Sequence, residues 1–438
     1  MEDERILTIL NEWNFWGNKP LELGIKRRVY VDKIKDILKD TEVVAEVGVR
    51  RCGKSFVARQ VLNEFILEGY DVNSTLIINL SDERWPADSA GLLNEIFDVY
   101  KRELKPKQKP LIVIDEAQQL QGWEKFVRGM SERLAAKFII TGSSSALLSS
   151  EFATLLSGRH VVINIVPVDF KEFLLFKGIN VDGMLSAAQN IEKISTEILE
   201  YAKNGGFPAV IIAKNKDELL LSYLDTIIIK DVSMRYKIRA ADKLKVLIKF
   251  YIANAASSMT FNSISKFLEL PLKTVQRFSE YLSNAYIIFF VNRFSSSIKE
   301  QENSPRKVYA IDNGFVSSFS ESQSDIKGKL IENMVAIELL RHSYCSRKIK
   351  IYYWKSKNNS KEVDFLVKSG TNLEILQVAY SLDRLETQKR EIDSLLACAK
   401  ELGLKEGKII TLKNDRSEII EGIKIHYVPL WKWLLNIN

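Results

Sequence analysis

The chain has 438 residues, of which 46% are hydrophobic and 27% are charged, so we expect a globular protein of roughly two to four domains. Its net charge of +7 permits a nucleic-acid partner but does not indicate one, because nucleic-acid binding requires the basic residues to cluster. Three separated cysteines and three histidines without ligand spacing disfavour a disulfide framework and a zinc site, and they suit a reducing compartment.

The N-terminus, Met1–Arg5, opens acidic and lacks the basic start and apolar core of a secretory signal. No apolar run approaches the ~18 residues of a membrane span, so we expect a cytoplasmic protein with no membrane partner. The first 40 or so residues predict a lead-in that packs on the domain that follows. Within it, we interpret Arg27 and Arg28 as a solvated basic pair rather than as ligand contacts.

A phosphate-binding motif follows the apolar run Val43–Val47, where residues 48–55 read GVRRCGKS and match G-x-x-x-x-G-K-[ST] in full. Strand, glycine loop and helix form the arrangement in which backbone N–H groups wrap a phosphate chain. Lys54 can reach the β- and γ-phosphates, and the Ser55 hydroxyl can hold Mg²⁺. The sequence therefore predicts ATP and Mg²⁺ as cofactors, bound by Gly48, Val49, Arg50, Arg51, Cys52, Gly53, Lys54, Ser55 and Phe56.

A second nucleotide motif, LIVIDEAQ, occupies residues 111–118 and predicts a buried strand that ends in Asp115 and Glu116. In a doubly wound sheet the end of such a strand faces the glycine loop. We expect Asp115 to order the Mg²⁺ shell and Glu116 to polarise the attacking water as general base. Two carboxylates in an ordinary turn are the alternative, which the complete phosphate-binding motif upstream disfavours.

A third predicted strand begins at Phe138 and ends in the polar stretch TGSSS. Ser143 or Ser144 can bond the γ-phosphate or the water, a role known as sensor 1, whereas a serine-rich turn is the alternative. Arg159 precedes the predicted strand Val161–Ile165, where ring-forming ATPases keep an arginine finger. A structural arginine is the alternative interpretation.

These four motifs, GVRRCGKS, LIVIDEAQ, TGSSS and LSGR, resemble the AAA+ type ATPases of archaea and bacteria. In that family the ATPase is fused to a C-terminal domain of unknown function with a PD-(D/E)XK nuclease-like fold. Residues 167–174 (PVDFKEFL) are similar to the stretch after the last core strand of that family, and residues 204–208 (NGGFP) are similar to an element of its helical region. The resemblance covers nearly the whole chain.

An amphipathic helix is predicted over residues 244–258. A winged helix-turn-helix is then predicted by two short helices with a tight turn, a strand at Tyr286–Asn292, a polar wing and a returning strand at Lys307–Ile311. Residue types that suit phosphate and base-edge contacts lie on the second helix, at Lys273, Thr274, Gln276 and Arg277. Basic residues also occur in and beside the wing, at Arg293, Lys299, Arg306 and Lys307. We predict contact with duplex DNA, and domain packing is the alternative use of this segment.

The nuclease-like resemblance implies a Mg²⁺ site made by a helix Glu, a strand Asp and an E-x-K on the next strand. Glu332 and Asp364 match the first two positions. Gln377 and Ala379 fall at the Glu and Lys of the third, and an amide and a methyl group cannot supply a metal ligand or a cation. We therefore expect this domain to be inactive as a nuclease.

The expected fold is α/β, with a P-loop NTPase parallel sheet and helical lid, then a winged helix-turn-helix and a C-terminal PD-(D/E)XK-like α/β domain. The predicted domains are an ATPase core (1–166), a helical lid (167–237), a winged helix (238–320) and the nuclease-like domain (321–438). The leading hypothesis is ATP hydrolysis by a homo-oligomer whose C-terminal half acts on, or is regulated by, DNA. The alternatives are a nucleotide-gated binding switch with little turnover and an active Mg²⁺-dependent DNA nuclease.

Overall fold

The computed structural model describes residues 2–86, 91–142, 160–319 and 323–437. The chain divides into two compact units, residues 1–166 (unit 1) and residues 167–438 (unit 2). Among the described residues, no helix combines the length and the apolarity that crossing a bilayer requires.

Unit 1 is built on a five-stranded parallel sheet with the order β2-β3-β4-β1-β5. Its strands are short apolar runs, and every residue of the first three is buried: β1 (Val43–Val47), β2 (Thr75–Asn79), β3 (Leu111–Asp115), β4 (Lys137–Gly142) and β5 (His160–Asn164). The described helices are α1 (Asp3–Trp13), α2 (Arg28–Asp40), α3 (Lys54–Leu67), α4 (Leu92–Leu104) and α5 (Trp123–Glu132). This parallel sheet confirms the predicted P-loop NTPase type of α/β fold.

The N-terminal lead-in packs against the sheet edge, as predicted. Strand β2 is an edge strand, so its outer backbone groups lack a neighbouring strand. The buried Asn14 amide supplies one substitute, since its Nδ2 donates to Ile77 O at 2.9 Å and its Oδ1 accepts from Ile77 N at 2.7 Å. Trp16 Nε1 supplies another by donating to Thr75 O at 2.9 Å.

Unit 2 combines a helical segment with a nine-stranded mixed sheet. The described helices are α6 (Phe170–Phe176), α7 (Met184–Gln189), α8 (Ile191–Asn204), α9 (Pro208–Ile212), α10 (Lys216–Thr226), α11 (Ala241–Ala253), α12 (Phe261–Phe267), α13 (Leu272–Asn284), α14 (Ile298–Asn303), α15 (Asn313–Ser318), α16 (Gln323–Cys345), α17 (Leu385–Leu402) and α18 (Leu430–Leu434), with a π-helical stretch at Ile227–Met234. The strands are β6 (Ser257–Met259), β7 (Ile288–Arg293), β8 (Arg306–Ala310), β9 (Ile349–Lys355), β10 (Glu362–Ser369), β11 (Asn372–Val378), β12 (Glu406–Thr411), β13 (Arg416–Ile420) and β14 (Ile423–Pro429).

The sheet of unit 2 runs in the order β13-β14-β12-β11-β10-β9-β7-β8-β6 without interruption. Strands β7 and β9 pair in parallel and join the predicted winged helix to the predicted nuclease-like domain. One apolar core also spans the unit, from Phe173 on α6 to Phe365 on β10 and Leu430 on α18. The predicted boundary near residue 320 therefore lies inside a continuous sheet, and the division of unit 2 into three domains stays a prediction.

The predicted winged-helix segment differs from the structure in two places. The helix predicted to reach Ser258 ends at Ala253, because Ala256 takes a left-handed φ of +63° and Ser257–Met259 then pairs with β8. Lys307, predicted beside the wing, is only 2% exposed, so it is not available for contact with DNA. Its ammonium group is instead buried among acidic side chains of unit 2.

Residues 204–208 are held by a buried aspartate. Gly206 N donates to Asp312 Oδ2 at 2.7 Å, and Gly314 N donates to Asp312 Oδ1 at 2.8 Å. Burial nevertheless raises the pKa of Asp312 to about 7, against the opposing effect of these two N–H groups. Gly205 has a φ of +74°, and a Cβ at this position would lie 1.7 Å from Asp312 Oδ1. The close approach therefore requires glycine.

We expect Gly205→Ala to destabilise unit 2 by about 3 kcal/mol or more, since backbone strain adds to a direct clash with Asp312. Gly403→Ala is the matched control, because Gly403 also has a positive φ of 69° but no atom lies within 4 Å of a Cβ there. That control should lose only about 1–2 kcal/mol. Urea denaturation of the full chain compares the two, and equal losses would contradict the proposed steric requirement.

Candidate functional site

The glycine loop of residues 48–53 connects β1 to α3, as the motif predicts. Gly48 has a φ of +151°, and a Cβ there would lie 2.0 Å from the backbone oxygen of Ile165. Gly53 is left-handed, with a φ of 101°, and directly precedes the first turn of α3. Both glycines are thus required by the backbone, the first by close approach and the second by its dihedral angles.

Lys54 begins α3 and is 4% exposed. Its Nζ donates to two carbonyl oxygens of the loop, Gly48 O and Val49 O, each at 3.0 Å. Both acceptors are neutral, so the ammonium charge is hydrogen-bonded without being neutralised by them. A phosphate oxygen would be a stronger partner, since hydrogen bonds between charged groups exceed those to neutral carbonyls.

Asp115 ends β3 and meets Ser55 from the first turn of α3. Ser55 Oγ donates to Asp115 Oδ1 at 2.8 Å. Thr141, near the end of the adjacent strand β4, donates its hydroxyl to the same oxygen. Thr141 Oγ1 also accepts from Glu116 N at 3.1 Å. The threonine, which the sequence analysis did not identify, therefore links both acidic residues of the second motif.

Glu116 adopts a left-handed conformation, with φ 55° and ψ 47°, immediately after β3. This is uncommon for a residue with a Cβ, and such backbone conformations concentrate at functional sites. Its carboxylate accepts from Gln118 Nε2 within the same turn. Glu116 therefore lies at the carboxyl end of β3, on the same end of the sheet as the glycine loop.

The residues present fit a bound Mg²⁺–ATP. A hydroxyl and a carboxylate 2.8 Å apart are oxygen ligands of the kind Mg²⁺ prefers, and Mg²⁺ at such sites completes its shell with phosphates and water. Among the described residues no group of three His, Cys, Asp or Glu could hold a metal ion. The fit therefore depends on the phosphates as well as on Ser55 and Asp115.

A buried carboxyl group lies within the strand that leads to the loop. Glu46 on β1 is 0% exposed, and neither of its carboxyl oxygens has a hydrogen-bond partner within the part of the chain that the structure describes. Burial raises its pKa well above the ordinary value, and Asp115 acts in the same direction, whereas Lys54 and Arg27 oppose it. Residues 43–47 form an apolar run in the sequence, and a single acid within it gives no signal of a functional residue.

Arg27 is buried, so its interpretation as part of a solvated pair was wrong, whereas Arg28 is exposed. Arg27 Nη1 donates to Cys52 O at 3.1 Å and to Val166 O at 2.9 Å. Cys52 is itself buried, and its Sγ donates to Ile165 O at 3.3 Å. These contacts attach the end of the glycine loop to the chain that follows β5.

The other residues that were predicted to contact the nucleotide lie in the glycine loop or just after it. Val49 is buried, Arg50 is partly buried, Arg51 is exposed with a left-handed φ of 71°, and Phe56 is partly buried on α3. The guanidinium carbon of Arg59 lies 5.6 Å from the centre of the Phe56 ring. Ser143, Ser144 and Arg159 lie outside the described residues, so their roles as sensor and finger stay predictions.

The predicted nuclease-like residues do come together in unit 2. Lys307 Nζ lies 3.0 Å from Glu332 Oε1 and 2.8 Å from Asp364 Oδ1. Gln377 Oε1 accepts from Asp364 N at 3.2 Å, and its Nε2 donates to Glu391. Glu332, Asp364, Gln377 and Glu391 line a cavity of about 760 Å³. Glu332, Asp364 and Gln377 thus lie close together, with Asp364 and Gln377 on neighbouring strands. Lys307 lies in the same cluster, which the sequence did not suggest.

The predicted DNA contacts lie along α13. Lys273, Gln276 and Arg277 are exposed and Thr274 is partly buried, whereas Val275 and Phe278 face the core. The helix therefore presents its polar side to solvent, as the pattern predicted. Of the basic residues near the wing, Arg293 donates to Lys355 O at 2.9 Å and Arg306 pairs with Glu302, so both already have protein partners.

Together, the parallel sheet, the glycine loop and the acidic end of β3 define a P-loop domain, and comparison with known proteins agrees. A family model described as an AAA domain matches residues 40–174. Two models described as domains of unknown function, DUF8612 and DUF4143, match residues 195–325 and 327–433. Unit 1 thus contains an AAA-type P-loop domain.

Two relatives extend the comparison to nearly the whole chain. An uncharacterized protein of Methanocaldococcus jannaschii is 35% identical over 430 residues, which cover 95% of this chain and 93% of the relative. An uncharacterized protein of Haemophilus influenzae is 30% identical over 419 residues, which cover 93% of this chain and 98% of the relative. This chain belongs to the family that these proteins represent.

Solved structures show more distant likeness. A Walker-type ATPase of Pyrococcus abyssi is 17% identical with a TM-score of 0.43, covering 67% of this chain and 95% of that chain. RuvB of Thermotoga maritima is 16% identical with a TM-score of 0.32, covering 60% of this chain and 89% of that chain. Family membership rests on the two sequence relatives alone.

The buried Glu46 predicts a pH-dependent stability. Because its pKa is raised in the folded state, the native protein holds this proton to higher pH than the unfolded chain, and stability falls as the pH rises above the unfolded pKa. Glu46→Gln should therefore stabilise unit 1 more at pH 8 than at pH 5. Urea denaturation without nucleotide or divalent cation measures this difference.

Glu83→Gln is the matched control, since Glu83 is exposed in the same unit. It should change the free energy of unfolding little at either pH. An effect of Glu46→Gln that is equal at the two pH values would contradict the raised pKa.

Proposed function

We propose that this protein binds Mg²⁺–ATP at the glycine loop and hydrolyses it to ADP and phosphate. Lys54, Ser55 and Asp115 lie together at the carboxyl ends of the parallel strands, and Glu116 directly follows Asp115. This arrangement is the main support for the proposal. The AAA domain match to residues 40–174 covers all four residues and supports the same activity.

Each residue has a role that follows from its position. Lys54 would exchange its two carbonyl acceptors for phosphate oxygens and stabilise the charge that develops on the transferred group. Ser55 and Asp115 would hold Mg²⁺, which would offset the negative charge of the phosphates. Glu116 would accept a proton from the attacking water, and Thr141 would keep Asp115 and Glu116 in register.

The assembly state is part of the proposal. A finger supplied by Arg159 to a neighbouring copy would require a homo-oligomer, and it would stabilise charge in the transition state. Turnover per chain should then rise with protein concentration. Turnover that is absent at every concentration, together with retained ATP binding, would favour a nucleotide-gated switch.

Two substitutions test the assignment of chemistry. We expect Lys54→Ala to lose ATP binding and turnover, and Glu116→Gln to keep ATP binding while turnover falls at least about a hundredfold, as for loss of a general base. Lys39→Ala removes the same charge from an exposed position of unit 1 and should leave both quantities unchanged. Phosphate release and equilibrium binding of labelled ATP measure them, and full turnover by Lys54→Ala would contradict the proposal.

We also propose that duplex DNA binds along α13. The exposure of Lys273, Gln276 and Arg277 on a helix that is followed by the antiparallel pair β7–β8 supports this, because winged helices present a helix to DNA beside such a pair. Phosphate contacts would supply affinity and register, whereas base contacts would supply any sequence preference.

Removing two of these cations should weaken DNA binding. For the Lys273→Ala, Arg277→Ala double variant we expect at least about tenfold lower affinity, and a salt slope that is smaller by about one for each phosphate no longer neutralised. The control is Lys405→Ala, Lys424→Ala, which removes two exposed lysines elsewhere in unit 2. Fluorescence anisotropy with a labelled duplex at several salt concentrations compares them, and equal affinities would favour a packing role for α13.

A further inference from the structure

Lys307 on β8 lies at the centre of an acidic cluster in unit 2. Its Nζ is within hydrogen-bond distance of three carboxylates, at 3.0 Å from Glu332 Oε1, 2.9 Å from Glu362 Oε1 and 2.8 Å from Asp364 Oδ1. Its side chain is 2% exposed. An ammonium group has three protons to donate, so these three contacts match its full capacity.

The carboxylates have further partners of their own. Glu332 Oε1 also accepts from Tyr309 Oη at 2.8 Å, Glu362 Oε2 pairs with Lys355 Nζ at 3.2 Å, and Asp364 Oδ2 accepts from Val378 N at 3.0 Å. Each acidic group is therefore bonded to Lys307 and oriented by a second donor of the protein itself. Burial alone lowers the pKa of Lys307, but Asp364, Glu332, Tyr309 and Glu362 together more than offset it and hold the pKa well above its ordinary value.

A divalent cation does not fit this arrangement. The nuclease-like resemblance implies Mg²⁺ between Glu332 and Asp364, and Mg²⁺ requires oxygen ligands at about 2.0–2.1 Å. The ammonium nitrogen already lies between these two carboxylates. A second cation beside it would meet strong repulsion, because charges a few ångströms apart interact strongly in a poorly solvated site. Gln377, at the third ligand position, contributes an amide bonded to Asp364 and Glu391.

We propose that the Lys307 ammonium takes the place of a divalent cation among Glu332, Glu362 and Asp364. Unit 2 then keeps its acidic cavity without a metal, and removing the ammonium opens a divalent-cation site there. This inference concerns unit 2 alone and does not rest on ATP hydrolysis in unit 1.

The test is metal binding by the full chain without nucleotide, in a parent that carries Asp115→Asn to remove the carboxylate of the glycine-loop site. Tb³⁺ is the probe, since its luminescence can be sensitised by Tyr309, which bonds Glu332 directly. We expect Lys307→Met to bind Tb³⁺ at least about tenfold more tightly than the parent, with Mn²⁺ competing for the same site. Asp364→Asn added to Lys307→Met should remove the gain.

Lys355→Met is the matched control, because Lys355 contacts the same Glu362 but is 25% exposed against 2% for Lys307. It should bind Tb³⁺ no more tightly than the parent. If Lys307→Met gains no more than this control, the proposal fails.

A comparison that needs no change at Lys307 covers the case in which that variant does not fold. Mn²⁺ binding, followed by electron paramagnetic resonance, should be the same for the parent and for the parent with Asp364→Asn. Saturable Mn²⁺ binding by the parent that Asp364→Asn abolishes would show that the ammonium does not exclude metal, and it would overturn the proposal.

Discussion

Among the described residues, each unit of this protein buries one lysine ammonium, and the groups that compensate its charge differ between the two units. Burying an unpaired charge costs more free energy than the net stability of a folded domain, so a buried ammonium needs hydrogen-bond acceptors. Lys54 has two neutral carbonyl oxygens at 3.0 Å, whereas Lys307 has three carboxylates within 3.0 Å. Lys54 can therefore still attract an anion, whereas the charge of Lys307 is already compensated by carboxylates.

The sheet of unit 1 explains why Lys54 lies beside the other groups of the site. In the strand order, β4 lies between β1 and β3. Because the strands are parallel, the carboxyl ends of all three lie at the same end of the sheet. Thr141 of β4 occupies the intervening position and connects Asp115 to the backbone of Glu116. The buried Glu46 is directly opposite Thr141 on β1, which makes this edge of the sheet unusually polar for a core.

Local patterns predicted much of unit 1. The glycine loop, the strand at residues 111–115 and its two carboxylates could be found because a short motif combines with an unbroken apolar run. Glu46 could not be found in this way, since one acid within a run of five strand residues does not change the pattern. Arg27 was missed because its contacts are with Cys52 and Val166, which are distant in sequence.

Unit 2 shows the same limit more strongly. Helices α12 and α13 and strands β7 and β8 lie where the pattern predicted them, whereas helix α17 was not predicted. The parallel pairing of β7 with β9 depends on residues sixty apart in sequence, and periodicity does not specify such partners. Lys307 was grouped with the wing residues because it begins the predicted returning strand, directly after the polar wing. Only the fold shows that its side chain turns inward to Glu332 and Asp364.

The central claim, ATP hydrolysis at the glycine loop, is tested most directly by identifying the products. The full chain would be mixed with Mg²⁺ and excess ATP and followed by ³¹P nuclear magnetic resonance. The account predicts loss of the γ-phosphate signal, with ADP and inorganic phosphate appearing in equal amounts. An unchanged ATP spectrum after prolonged incubation, or the appearance of AMP and pyrophosphate, would contradict it.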